Sequence, residues 1–206
     1  MKETGRSKPS KFYTLENTHP YMFLIYLAIG GISLVFIFLL GGFISSTPDL
    51  ELDVAPRYFP KAFVISTLVL LASGYFLNKL NFYFAHDQLD LLKKNLQYIF
   101  GMGLVFCGLQ VYGWLELSEH GVYLNGKASD GYLFLLSGLH LAHLLGGLVF
   151  LLVVYRKVQK LGNDPIHALL YFSSAYEKMR IKMLYIYWHF MDLLWIAIFA
   201  SFLLSR

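Results

Sequence analysis

Five apolar stretches, each roughly 20 residues long, constrain this chain more than anything else in it. They fall near 21–44, 61–77, 96–115, 132–155 and 183–204. A helix rising 1.5 Å per residue needs about 20 residues to cross a hydrocarbon core about 30 Å thick. Inside that core the backbone must bond to itself, and for stretches of this length the helix is the form that does so. The sequence therefore predicts an all-α fold: a polytopic membrane protein, a bundle of five transmembrane helices. Of the 206 residues 57% are hydrophobic and only 15% charged, against roughly 25% charged in soluble domains. No loop is long enough to bury a core of its own. Two regions follow, a polar basic N-terminal tail over 1–20 and a single five-helix domain over 21–206. The tail has no cleavable signal pattern, and the first apolar block is too long for a signal h-region.

Lys and Arg set the orientation. The N-terminal tail, the second loop and the fourth loop carry thirteen of the seventeen, among them Lys2, Lys93, Lys94, Arg156 and Lys182. The other side has Arg57, Lys61, Lys127 and Arg206. The positive-inside rule then puts the N-terminus in the cytoplasm and the C-terminus outside. The same asymmetry accounts for the net charge of +4 without nucleic acid as a partner. A single cysteine, Cys107, excludes a disulfide framework and any site built on paired thiolates. The second loop, NKLNFYFAHDQLDLLKK, is partly amphipathic and is expected along the membrane interface. The Gly30-Gly31 and Gly41-Gly42 pairs suggest close helix contact in the first span.

Ionisable side chains in hydrocarbon are costly and survive only against protein, water or a partner. Four stand well inside spans: His140 and His143 in the fourth, His189 and Asp192 in the fifth. Each pair is spaced i, i+3 and so shares a helix face. Counting about 1.5 Å per residue from opposite faces, the pairs lie about 12–17 Å and about 9–14 Å deep. Those are similar levels in a core about 30 Å thick. Three readings stay open for this intramembrane polar cluster. It could bind a metal, with two histidines and a third ligand from the fifth span. It could be a hydrogen-bonded set that fixes helix orientation. It could hold and release a proton, since imidazole titrates near neutrality.

Other polar features read more plainly. Gln110, in GLQVYGW, is expected to make an interhelical hydrogen bond. Glu116 and Glu119 fall at the outer interface. Trp114 and Trp188, with Tyr112, Tyr185 and Tyr187, cluster near span ends as an interfacial belt would. Gln110, Trp114, Trp188 and Lys182 are candidates for lipid or interhelical contact. No internal repeat is present, which counts against an inverted-repeat transporter.

Two motifs carry a family resemblance. The fourth span, DGYLFLLSGLHLAHLLGGLVFLL, matches a G-hydrophobic-H-x-x-H-x-x-x-G pattern at Gly138, Leu139, His140, His143 and Gly147. The fifth contains YWHFMDLLW, Tyr187 to Trp195. Both resemble cytochrome c oxidase subunit III in its five-helix bacterial form, whose closing signature is YWHFVDVVW. The serine- and leucine-rich second span and GLQVYG fit as well. The resemblance covers about 60–206 well and the first span loosely. There are departures. No acidic residue lies between Glu16 and Asp49, where the family has a buried glutamate; Gly113 and Lys182 stand where it has two more. Roles attached to those carboxylates have no residue here to carry them.

The resemblance implies a non-catalytic subunit III of a bacterial haem-copper terminal oxidase in the cytoplasmic (inner) membrane. Such a subunit packs on subunit I, alongside subunit II and sometimes a small additional subunit or a respiratory supercomplex. It holds phospholipid and sustains proton uptake. Haem and copper would reside in the partner subunits and no cofactor or metal in this chain. Counting agrees: three intramembrane histidines are too few for a haem-copper core, and one cysteine for a two-copper centre. The electron donor implied is cytochrome c. The alternatives are the equivalent subunit of a quinol oxidase or a nitric-oxide-reductase accessory and, from another class, a small proton-coupled transporter.

Overall fold

The computed structural model describes residues 20–46, 60–162 and 164–204. The tail assigned to 1–20 lies outside them apart from Pro20. Six α-helices and no strand occur among the described residues: α1 Pro20–Ser46, α2 Lys61–Ala85, α3 Leu89–Glu119, α4 Ala128–Lys160, α5 Pro165–Ser173 and α6 Ala175–Leu204. All but α5 are long and apolar enough to cross a membrane. This is the expected polytopic helical bundle.

Four of these helices share one packing rule. In α3 the buried positions include Leu92, Leu96, Ile99, Gly103, Phe106, Gln110, Gly113 and Leu117, in alternating steps of four and three. The same alternation runs from Leu133 to Val158 in α4, from Glu177 to Phe202 in α6 and from Phe63 to Phe84 in α2. A 4-3 repeat is the seam of helices that cross at a shallow angle and interlock knobs into holes. The contacts close a ring in which α2 packs on α3, α3 on α4, α4 on α6 and α6 on α2. α1 lies outside this ring against α4 and α6. Its buried residues Met22, Phe36 and Phe43 recur at multiples of seven, a single stripe. Gly42 of α1 meets Tyr132 closely, while Gly30, Gly31 and Gly41 have no neighbour within 4 Å of an added β-carbon. Of the glycines expected to mark a helix contact, only Gly42 does.

The spans run longer than the apolar stretches, 25 to 33 residues, because the helices continue into polar sequence. At 1.5 Å per residue the longest exceeds the hydrocarbon thickness by about 20 Å. The second loop is absorbed in the same way. α2 continues to Ala85, Asp87 takes a positive φ of 55°, and α3 begins at Leu89. The segment read as an interfacial stretch is thus the tip of a tight helical hairpin. At the other end of α2, the Glu116 carboxylate accepts from Ala62 N–H at 3.3 Å, tying a free helix N-terminus to α3.

The fourth loop contains the helix α5, which the apolar pattern passes over. Asp164 caps it: Ile166 N–H donates to Oδ1 at 2.9 Å, and the His167 ring donates to Oδ2 at 2.7 Å. The His167 hydrogen bond and then the Ile166 amide hold the Asp164 carboxyl below its ordinary range. A depressed value means that the cap's contribution is complete above the unfolded carboxyl's pKa and is lost only as pH falls through the lower, folded one. Asp164→Ala is expected to speed amide exchange at 166–168 and leave the spans unchanged; Asp164→Asn keeps an acceptor and should be milder. Beyond the cap, Tyr171 and Phe172 pack edge-on against Phe84 of α2. Buried Glu177 accepts from Lys157 of α4 and from Arg180, pinning the start of α6 to the end of α4.

Candidate functional site

The two tryptophans of the closing motif fill the middle of the ring. Trp188 and Trp195 are both fully buried and seven residues apart on the α6 seam. Trp188 lies over Gly103 of α3 and beside Gly147 of α4. Trp195 packs on Phe106 and on the His140 ring at centroid distances of 5.2 and 5.1 Å. The indole N–H groups donate to α2 hydroxyls: Trp188 to Ser73 at 3.1 Å and Trp195 to Thr67 at 2.9 Å. Trp114 on α3 donates to Ser137 on α4 at 3.0 Å, and Gln110 donates to Ser66 on α2 at 3.0 Å. Each hydroxyl passes its own proton to a carbonyl three or four residues back. All three tryptophans and the glutamine are therefore tied to other helices through a Ser or Thr. The interhelical bond expected of Gln110 is present. Trp188, expected near the membrane interface, is at the centre of the bundle, because two glycines leave room for its ring.

The four ionisable residues share a stretch of the bundle but not a face. His143 turns toward α1: its ring meets Phe36 edge-on at 5.8 Å, and Nδ1 donates to Leu139 C=O at 2.7 Å. Tyr187 O–H donates to the His143 carbonyl at 2.8 Å. His140 points into the ring, fully buried between Phe106 and Trp195. Neither of its nitrogens has a hydrogen-bond partner, and neither does Gln110 Oε1. His189 and Asp192 face α2. His189 Nε2–H donates to Asn78 Oδ1 at 3.0 Å, and Tyr185 O–H donates to the same oxygen at 3.0 Å. The Asp192 carboxylate lies against Gly74, where a β-carbon would stand 2.9 Å from Oδ2. Its Oδ1 is buried and unpartnered.

The facing atoms of the His189–Asp192 pair constrain its chemistry. Nδ1 of His189 lies 3.7 Å from Asp192 Oδ2. With Nε2–H committed to Asn78, a neutral imidazole presents a lone pair at Nδ1. A lone pair opposite a carboxylate oxygen is satisfied only when one of the two carries a proton. At 3.7 Å the two atoms are close without being hydrogen-bonded, with His189 partly exposed and Asp192 buried. Among the described residues no three His, Cys, Asp or Glu side chains stand close enough to share a metal ion. Lys182 is exposed at the basic end of α6, apart from these groups.

Sequence reading missed Asn78, Gly74, Ser66, Thr67, Ser73, Ser137 and Trp195. Ser66 and Ser73 carried a signal in their seven-residue spacing. Asn78 was read as loop because the apolar stretch of the second span ends just before it.

The bundle and its polar groups define a class: a five-span helical membrane protein whose intramembrane polar side chains join helices. No protein-family profile matches the chain. It is similar to proteins described as "Probable quinol oxidase subunit 3" from Staphylococcus aureus strain USA300, S. aureus strain N315 and Staphylococcus epidermidis strain ATCC 35984. Each is 25% identical over 138 residues, which is 67% of this chain and 64% of the relative. The alignment thus spans somewhat under two thirds of those proteins. It supports the subunit III family carried by the two motifs, and not its cytochrome c oxidase type.

Proposed function

We propose that this chain is the non-catalytic subunit III of a haem-copper terminal oxidase in a bacterial cytoplasmic membrane, N-terminus inside. The observation that supports this is the YWHFMDLLW motif as folded: its tryptophans join α6 to α2, α3 and α4, and its aspartate lies against Gly74 of α2. The quinol-oxidase name of the relatives favours a quinol over cytochrome c as the electron donor of the complex. Subunits I and II would supply haem and copper, and phospholipid would cover the apolar surface. Within the chain His140, His143, His189 and Asp192 act in two ways. His140 and His143 set the faces that α4 turns to the core and to α1. His189 joins α6 to Asn78 of α2, and with Asp192 beside it forms a site that holds a proton.

The chain isolated gently from native membrane is expected to bring haem-containing polypeptides with it, and the complex to turn over on a quinol. Co-purification of a subunit with a two-cysteine copper motif would shift the donor to cytochrome c. A haem-free monomer would refute the assignment, and proton-coupled uptake by that monomer in liposomes would favour the transporter instead.

A further inference from the structure

The short helix α5 has two unlike faces. One packs on the bundle through Tyr171, which is buried, and Phe172, which is partly buried, both against Phe84. The opposite face presents Ile166, Leu169 and Leu170, exposed by 70%, 66% and 62%. Their i, i+3, i+4 spacing forms one apolar stripe. Ordinary loops do not keep such a stripe facing water, and nothing in the fold of the six helices requires it. The level of α5 is set by its neighbours. Ser174 alone separates it from α6, whose second residue, Tyr176, meets Tyr21 at the start of α1 edge-on at 6.2 Å. Tyrosines at span ends mark the headgroup level. Charge adds a second indication. From Arg156 to Lys182 there are six Lys or Arg against two acidic residues. One of the two, Glu177, is already paired inside the protein. Arg156 and Lys160 at the end of α4 and Lys178 and Lys182 at the start of α6, the helices that flank α5 in the chain, are exposed. The acidic Asp87, Asp90 and Asp164 line the hollow beside Ala168, on the packed flank.

From these observations we infer that α5 is an interfacial anchor that sets Ile166, Leu169 and Leu170 among the lipids of an anionic leaflet. An amphipathic helix binds such a surface by burying its apolar face while neighbouring cations meet the headgroups. A nine-residue helix is too short to bind well alone, but here it is tethered between two spans, so no translational freedom is lost. Its function would be to fix the basic end of the bundle at a set depth. Phe84, Glu177 and the α2–α3 hairpin would be fixed with it.

The test uses the full chain in vesicles, with Cys107→Ser and single cysteines placed in turn at 166, 167, 169 and 170, each carrying an environment-sensitive fluorophore. The vesicles are phosphatidylcholine with rising phosphatidylglycerol. Quenching by lipid spin-labelled near the headgroup is expected at 166, 169 and 170, with aqueous iodide dominating at 167. The lipid quench should grow with phosphatidylglycerol and weaken with salt. Ile166→Ser, Leu169→Ser and Leu170→Ser together should remove it from a label at Ser173 while the circular dichroism of the spans is unchanged. Iodide quenching at all positions would overturn the inference. So would protection from both quenchers that appears only when partner subunits are present, which would assign the face to protein.

Discussion

Trp188→Ala is expected to loosen the whole bundle rather than one helix pair. The side chain is fully buried and meets three helices at once: it bonds Ser73 of α2, overlies Gly103 of α3 and lies beside Gly147 of α4. In a membrane the hydrophobic effect does not drive helices together, so packing contacts and hydrogen bonds must hold them. Removing a buried tryptophan costs on the order of 3–5 kcal/mol, much of it for a cavity that fixed neighbours cannot close. The lost bond to Ser73 adds about 0.6 kcal/mol. Denaturation in mixed detergent micelles, followed by circular dichroism, should show the loss as a large shift of the midpoint. Trp188→Phe keeps most of the ring and loses the donor. Ser73 still gives its proton to Leu70 C=O at 2.7 Å, so this variant should cost about 1 kcal/mol or less. A small effect of Trp188→Ala would mean that the seam is not the source of cohesion.

Asp192→Leu is the variant with the largest expected effect on working life. It should leave the isolated chain as stable as before, or slightly more so, and shorten the life of the complex. One carboxylate oxygen is buried without a partner and the other faces His189 Nδ1 at 3.7 Å. An apolar group of similar shape at such a position is nearly neutral or stabilising. Asp192→Leu should therefore stay within about 1 kcal/mol of the parent in detergent unfolding. Its cost is expected in the assembled oxidase: normal initial turnover, earlier inactivation during sustained turnover, and weaker retention of the chain. Asp192→Asn keeps the size and a polar end facing His189 and should shorten the life of the complex less than Asp192→Leu. If Asp192→Leu removed the haem spectrum or the first turnovers outright, the accessory role would be wrong.

The five spans were legible because length and hydrophobicity are all that the bilayer demands of them. Their ends were not. Helices such as α3 and α4 run on into polar sequence outside the hydrocarbon, where hydropathy no longer marks them. α5 had its start signals in the sequence, Asp164 followed by Pro165, but nine residues between two long apolar blocks look like a connection. The polar residues show a sharper division. Counting rise per residue put the two ionisable pairs at similar levels, and the structure sets His143 beside Tyr187 and His140 beside Trp195. The faces were not readable, because in lipid both the seam and the outer surface are apolar. What marks the seam is the small and polar set on its 4-3 steps: Ser66 and Ser73, Gly103, Gln110 and Gly113, Ser137, His140 and Gly147. Read at that spacing, those residues predict which way each helix turns, and they would have separated His140 from His189 in advance.

The position of α1 bears on how the protein is made. The helices it leans on, α4 and α6, come after α2 and α3 in the chain. When α1 enters the bilayer, neither of the helices it packs on has yet been made, and it must wait for them in lipid while α2 and α3 are synthesised. Such a segment has to be content alone in the bilayer. α1 is the most apolar of the five and carries no charged side chain from Pro20 to Ser46. Its composition thus suits a solitary interval during biogenesis, and its contacts with the finished bundle come as the closing step.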